Sequence, residues 1–168
     1  MLERFGMENS KPSPVPINKG EKLSQSQSLR NEIEREYMKA FPYVSLIGTL
    51  MYAQVRTRPD IAYVVELLER FQANPGMEHW RAAKKVLGYF QRTQDYMLTY
   101  NKSDLLEIVG YSDSEFAGCP DSRKSTSGYI FLLAGGAVSW KRSKQKMTAA
   151  STMEVELLAC YDAVTQAI

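Results

Sequence analysis

Between Tyr43 and Gln54 apolar residues return every three or four positions, so that Tyr43, Leu46, Ile47, Leu50 and Met51 share one face of a predicted helix with Gln54. Gly48 and Ala53 let a neighbour approach that helix closely. Thr57-Arg58-Pro59-Asp60 predicts the start of a second helix, with Thr57 as cap and Pro59 in the first turn. Its apolar stripe is Ile61, Val64, Val65, Leu68 and Phe71, and it ends at the Asn74-Pro75-Gly76 turn. A third pattern sets Trp80, Ala83, Leu87 and Phe90 on one side and leaves Arg81, Lys84, Lys85 and Arg92 largely off it. Ahead of these, Asn31 to Ala40 reads as a short exposed helix stopped by Pro42. Ser10 to Ser28 is rich in Pro, Ser, Gln and Lys, with little apolar surface, which predicts a flexible arm at about 10–30.

After Asp95 the period changes from helical to strand-like. Met97 to Tyr100 predicts a strand, and Leu106 to Tyr111 predicts an interior one, because both pleat faces carry apolar or small groups. Gly128 to Leu133 and Ala137 to Trp140 flank paired glycines, Gly135 and Gly136, which signal a tight hairpin. Ser151-Thr152-Met153-Glu154 fits a capping box that opens the last helix. Its apolar stripe is Met153, Leu157, Tyr161, Val164 and Ile168, whereas Cys160, Ala163 and Ala167 make a small-residue face above Glu156. Helices followed by an antiparallel hairpin and a helix predict an α+β fold.

Composition narrows the picture only a little. A length of 168 residues, 44% of them hydrophobic and 24% charged, suits one ordinary domain or two small ones and excludes a disordered chain. A net charge of +2 is too mild to argue a nucleic-acid partner by itself, so any such reading rests on local patches. Cys119 and Cys160 have neither metal-ligand spacing nor the density of a secreted scaffold. No apolar run reaches the roughly 20 residues of a membrane span, and Met1-Leu2-Glu3-Arg4-Phe5 lacks the shape of a signal peptide. The expectation is an intracellular, cytoplasmic chain with no membrane partner.

Candidate chemistry gathers in the second half. Asp113 follows Val109 and Tyr111 at period two, at the end of an apolar run, with Glu115 two residues on. Carboxylates at such a place either meet a cation, commonly a divalent metal, or start a turn toward Gly118. Glu154 is explained by the capping box, but Glu156 is not. Cationic candidates for phosphate contact are Lys84 and Lys85 on the third helix, Arg123 and Lys124 in the loop after Asp113, and Lys141 and Lys144 at the hairpin exit. A solvated face explains them equally well. His79 reads as a surface residue of a first helical turn.

A strand-end Asp, an antiparallel hairpin and a helix bearing a Glu beside small residues is the order of the ribonuclease H fold, whose two-metal chemistry needs carboxylates from separate elements. Almost the whole chain also resembles the pol polyproteins of plant copia-type LTR retrotransposons. The match rests on Leu2-Glu3-Arg4-Phe5-Gly6-Met7, Gly48-Thr49-Leu50-Met51-Tyr52-Ala53, Thr57-Arg58-Pro59-Asp60-Ile61-Ala62, Asn74-Pro75-Gly76 with His79-Trp80, Tyr111-Ser112-Asp113-Ser114-Glu115-Phe116-Ala117-Gly118, Arg123-Lys124-Ser125-Thr126-Ser127-Gly128-Tyr129, and Ser151-Thr152-Met153-Glu154-Val155-Glu156, in that order.

The resemblance implies that residues 1–104 are the C-terminal, thumb or connection part of a reverse transcriptase. Residues 105–168 would be the N-terminal half of ribonuclease H, a truncated antiparallel three-strand sheet with one helix. It also implies Asp113 and Glu156 as catalytic metal ligands, Mg²⁺ or Mn²⁺ as cofactor, and an RNA–DNA hybrid and the remainder of the polyprotein as partners. Glu115 stands where the family usually has a second aspartate. The family's later ribonuclease H aspartates and its polymerase Asp-Asp box match nothing between Met1 and Ile168. The chain is therefore expected to be a fragment, from a degenerate genomic copy, that is inactive as a nuclease alone. The rival expectations are a non-catalytic nucleic-acid binder and an inert relic.

Overall fold

A computed structural model describes residues 1–102 and 106–167. It divides the chain into two compact units, Met1–Met97 and Leu98–Ile168. Among the described residues it has five α-helices and an antiparallel three-stranded sheet, so the chain is α+β. The expected boundary at 104–105 lies outside the described residues, as does Ile168.

The first unit is helical: α1 (Glu32–Lys39), α2 (Tyr43–Arg56), α3 (Ala62–Glu69) and α4 (Met77–Arg92). Asn31 opens α1, its Oδ1 accepting the Glu34 amide at 2.8 Å. The predicted stripes form the core: Leu46, Ile47, Leu50, Ile61, Val64, Val65, Leu68, Phe71, Trp80, Ala83 and Leu87 are all buried. Each such Leu, Ile or Val contributes about 1.5–3 kcal/mol by leaving water. Tyr43 joins them while its hydroxyl donates to the Leu68 carbonyl at 2.8 Å.

Three details differ from the sequence reading. Thr57 closes α2 instead of capping α3, its amide donating to Ala53 O, and a 3-10 turn at Pro59–Ile61 precedes α3. Asp60, in that turn, is held by side chains. It receives the Arg58 guanidinium at 2.8 Å and the Tyr89 hydroxyl at 2.9 Å, while Arg58 also donates to Thr93 and lies over the Phe90 ring. His79 is 0% exposed, not a surface residue. Its Nδ1 accepts the Gly76 amide at 2.9 Å, so Nε2 carries the proton and faces Ser24 O at 3.2 Å, and its ring stacks on Phe71. The segment at 10–30, expected as a flexible arm, is packed down. Leu23 is buried, Ile17 and Leu29 lie against the core, the Ser13 amide donates to Gly88 O, and Asn74 holds Leu29 O. Apolar residues spaced about six apart are too sparse for a periodic pattern but suffice to staple an irregular segment.

The second unit runs β1 (Ile108–Glu115), β2 (Thr126–Leu133), β3 (Gly136–Lys144) and α5 (Thr152–Ala167), with strand order β1-β2-β3. The predicted hairpin is present as a two-residue turn. Ala134 and Gly135 both have positive φ, 50° and 79°, the requirement of a tight turn that matches strand twist. Met97–Tyr100 is not a strand. Tyr100 instead donates its hydroxyl to Ala137 O, and the Asn101 amide bonds Ala134 O. Nor is β1 interior: it lies at the edge of the described sheet, with Ile108 and Tyr111 65% and 59% exposed. Two apolar faces on a strand show what it can bury, not which neighbours it has.

α5 packs on β1 and β2. It does so through Val155, Ala159 and Ala163, and the expected stripe of Met153, Leu157, Tyr161 and Val164 is exposed. The rings of Tyr129 and Phe131, 5.4 Å apart, already fill the sheet face, so only small side chains seat closely there. Ser151 caps α5 at the Glu154 amide, and Glu154 reaches back to the Ala150 amide at 2.7 Å, one residue before the expected partner.

Three outcomes test this packing. Burial alone would push the Asp60 carboxyl up, but Arg58 and Tyr89 hold it below its ordinary value. Its stabilisation is therefore present above the unfolded carboxylate pKa and is lost as pH falls below about 4. Asp60→Asn should flatten that limb in a pH series of thermal melts. His79→Ala, which leaves a cavity and an unpaired Gly76 amide, should cost about 2–4 kcal/mol by denaturant titration. Ala134→Gly, relieving a left-handed backbone, should stabilise by about 0.5–1 kcal/mol.

Candidate functional site

The register of the sheet sets the geometry of the carboxylates. Asp113 is paired with Gly128, and Gly128 with Arg142, so the two side chains flank a position that carries none. Ser112 Oγ lies 3.4 Å from Cys160 Sγ on α5, which marks the Ser112 face of β1 as the helix side. Strand alternation then turns Asp113 and Glu115 to the opposite face. There Arg142 Nη2 donates to Glu115 Oε2 at 3.0 Å. That pair escaped the sequence reading, although a glycine between a strand-end acid and a strand-end arginine was its visible signal.

Glu156 is exposed on α5 one turn before Cys160, on the same flank. Because β3 ends level with the C-terminal end of β1 and α5 runs back from there, Glu156 lies toward that end of β1, the end bearing Asp113. The two carboxylates thus share one end of the unit but meet it from different faces of an edge strand. Among the described residues, no group of three or more His, Cys, Asp or Glu side chains is arranged to hold a metal ion. With Glu115 engaged by Arg142, the donors present do not fit a pair of divalent ions, which need several bridging carboxylates within about 4 Å of each other.

The cations are distributed unevenly. Lys85 is tied down, its ammonium bonding Asn18 and lying 4.0 Å from Glu21, while Arg81 on the same helix pairs with Glu78. Lys84 is exposed. In the second unit Arg123 and Lys141 are exposed, Lys124 donates to Lys146 O at 2.9 Å, and Lys144 reaches Ser122 Oγ at 3.3 Å. These residues gather where β1 and β3 end, around a loop in which Ala117 and Arg123 take positive φ. Cys119 sits in that loop. Burial pushes its thiol up, but the Ser122 hydroxyl, backbone hydrogen bonds at Ser122 and Asp121, and the Lys144 ammonium bring it down to about 7. Gln145, beside this cluster in sequence, is buried, with Nε2 donating to Ser127 Oγ at 2.6 Å and to Val155 O at 3.2 Å.

Geometry alone defines the class: an α+β polypeptide whose open antiparallel sheet carries one helix and a basic strand end. Comparison with known proteins goes further. The chain is 44% identical over 162 residues to the retrovirus-related Pol polyprotein from transposon TNT 1-94 of Nicotiana tabacum, a match covering 96% of this chain and 12% of that protein. It is 33% identical over 156 residues to the Pol polyprotein from transposon RE2 of Arabidopsis thaliana, covering 93% of this chain and 10% of that one. A secreted RxLR effector protein 161 of Plasmopara viticola is 46% identical over 131 residues, 78% of this chain and 92% of the effector. The chain belongs to the family of Pol polyproteins of copia-type retrotransposons, and it spans about a tenth of the length of the two polyproteins named. No family model matches it, and neither does any solved structure. No helix among the described residues is long and apolar enough to cross a membrane.

Proposed function

We propose that this chain is the segment of a copia-type Pol polyprotein in which reverse transcriptase passes into ribonuclease H. In this reading the helical unit is a thumb or connection surface that grips an RNA–DNA hybrid. The sheet unit is the first half of a ribonuclease H-like domain, to which Asp113 and Glu156 contribute two carboxylates. The observation that supports it is the shared end of β1 and α5: Cys160 seats on Ser112, and Glu156 falls one turn toward the strand end that carries Asp113. Exposed Arg123 and Lys141, with Lys124 and Lys144 beside them, supply positive charge for a phosphate backbone at that end.

Because the donors do not fit two ions, the chain's own contribution is to hold the hybrid, and hydrolysis belongs to the longer polyprotein. A second reading, a free-standing nucleic-acid binder, rests on the same basic strand end; the Plasmopara relative, 92% of which aligns with this chain, is a protein of about this segment's extent.

Fluorescence anisotropy with a labelled RNA–DNA hybrid tests both. Binding should weaken roughly 40-fold between about 50 and 200 mM salt if three phosphates are engaged. It should fall on Lys141→Glu with Lys144→Glu and survive Asp113→Asn. Salt-independent binding, or none by a chain that melts cooperatively, rules out a hybrid grip. Mg²⁺-dependent cleavage lost on Asp113→Asn overturns the non-catalytic assignment.

A further inference from the structure

We propose that the outer face of α5, with the helix-side edge of β1 beside it, docks a basic amphipathic helix of a protein partner. Met153, Leu157, Tyr161 and Val164 follow one another at intervals of four, four and three residues, which places all four on one side of α5, away from Val155, Ala159 and Ala163. They are 81%, 69%, 67% and 60% exposed, so a continuous seam of large side chains stands in water. The surface continues onto the sheet. Cys160 is exposed beside Ser112, and Ile108, on the same face of β1 by strand alternation, is exposed too. From Met153 to Val164 the seam runs about 16 Å, which a partner helix of about 12 residues covers.

Charge selects the occupant. β1 holds two acids, Asp113 and Glu115, and α5 holds three, Glu154, Glu156 and Asp162, while neither element holds a Lys, Arg or His. At about 100° per residue, Glu154 and Glu156 fall on the two flanks of the seam. Lys141, Lys144 and Lys146 lie elsewhere, bordering the flank of α5 that bears Leu158 and Asp162. An apolar seam between acids calls for a partner whose apolar stripe runs between bases. A second copy would set α5 against α5 and bring like charges together, and a phosphate backbone or an anionic membrane would meet the same repulsion.

The seam is separate from the surface proposed to hold the hybrid, whose cations gather where β1 and β3 end, and it stands whether or not that reading does. Only Glu156 is common to both, so apolar variants decide. The large residues of α5 are outside because the aromatic-filled sheet face seats only the small ones. A partner helix gives them the burial that the sheet does not.

Fluorescence anisotropy of labelled peptides against the whole 168-residue chain tests the docking. The probes are a Leu/Lys amphipathic helix, its Leu/Glu counterpart, and a Leu/Lys peptide of the same composition in scrambled order. The Leu/Lys helix should bind roughly 10-fold or more tightly than either of the others. Leu157→Ser and Val164→Ser should each weaken it roughly 5- to 30-fold, while Leu157→Met retains it. Both side chains are exposed, so unchanged thermal melts should accompany these losses. Glu156→Lys should move the preference toward the Leu/Glu helix. Sedimentation of the chain alone should show a monomer. A dimer abolished by Leu157→Ser would make a second copy the occupant and overturn the proposal. So would equal binding of the three peptides, indifference to both serine variants, or no binding by a chain that melts cooperatively.

Discussion

How closely α5 can approach the sheet decides most of what the second unit presents to its surroundings. The strands offer two aromatic rings, Tyr129 and Phe131, on the helix side, and Gly110 beside them has no room for even a Cβ, which would meet the Phe131 ring at 2.6 Å. A helix fits over that surface only through Val155, Ala159 and Ala163. Gln145 then fastens the approach at both ends, bonding Ser127 on β2 and the Val155 carbonyl on α5. The rotation of α5 about its axis follows from this seating. With the small face inward, Glu156 and Cys160 turn toward β1, Asp162 turns toward β3, and the larger residues Leu157, Tyr161 and Val164 face outward. A bulky residue at Ala159 would move all of these groups together.

Much of the helical unit was legible in the sequence because its core follows one period. Ile61, Val64, Val65, Leu68 and Phe71 are all buried, as their spacing requires. What was hidden there was polar and nonlocal. His79 stands three residues after Gly76 in an ordinary first turn, and only the fold brings Phe71 under its ring and Ser24 to its Nε2. The packing of residues 10–30 was hidden for the same reason: Leu23 and Ile17 are single anchors whose partners lie far along the chain.

The sheet unit was legible in order but not in orientation. Strand, hairpin and helix occur in the expected order, and the Gly135 turn is tight for the stated reason. Periodicity, however, gave two candidate faces for α5, one large and apolar, one small. The large face carries more transfer free energy, yet the small one is inside, because close packing of a helix on aromatic-filled strands is limited by shape before it is limited by hydrophobicity. The same limit governs the candidate site. Asp113 and Glu156 could be picked out as carboxylates lacking a local explanation, but whether they face one another depends on strand parity and helix rotation, neither of which a linear pattern encodes. Glu115 looked like a possible ligand until Gly128 opened a path for Arg142 to reach it.

That ion pair also bears on how the exposed edge is managed. At the edge of the described sheet, β1 has Ile108, Val109 and Tyr111 on show and offers its outer amides and carbonyls to any extended chain. Charge is the usual protection, and in β1 it is concentrated at one end: Asp113 and Glu115 lie near Arg142, while Ile108 to Tyr111 carry none. Half exposed, the Arg142–Glu115 pair adds little to stability, since such bridges contribute about 0–1 kcal/mol. Its effect is on shape and specificity. By drawing Glu115 across Gly128 toward β3, it leaves Asp113 as the one β1 acid facing away from the helix without an arginine drawn over it. The acid best placed to meet a cation from outside the described residues is therefore also the acid that keeps this end of the edge from pairing indiscriminately.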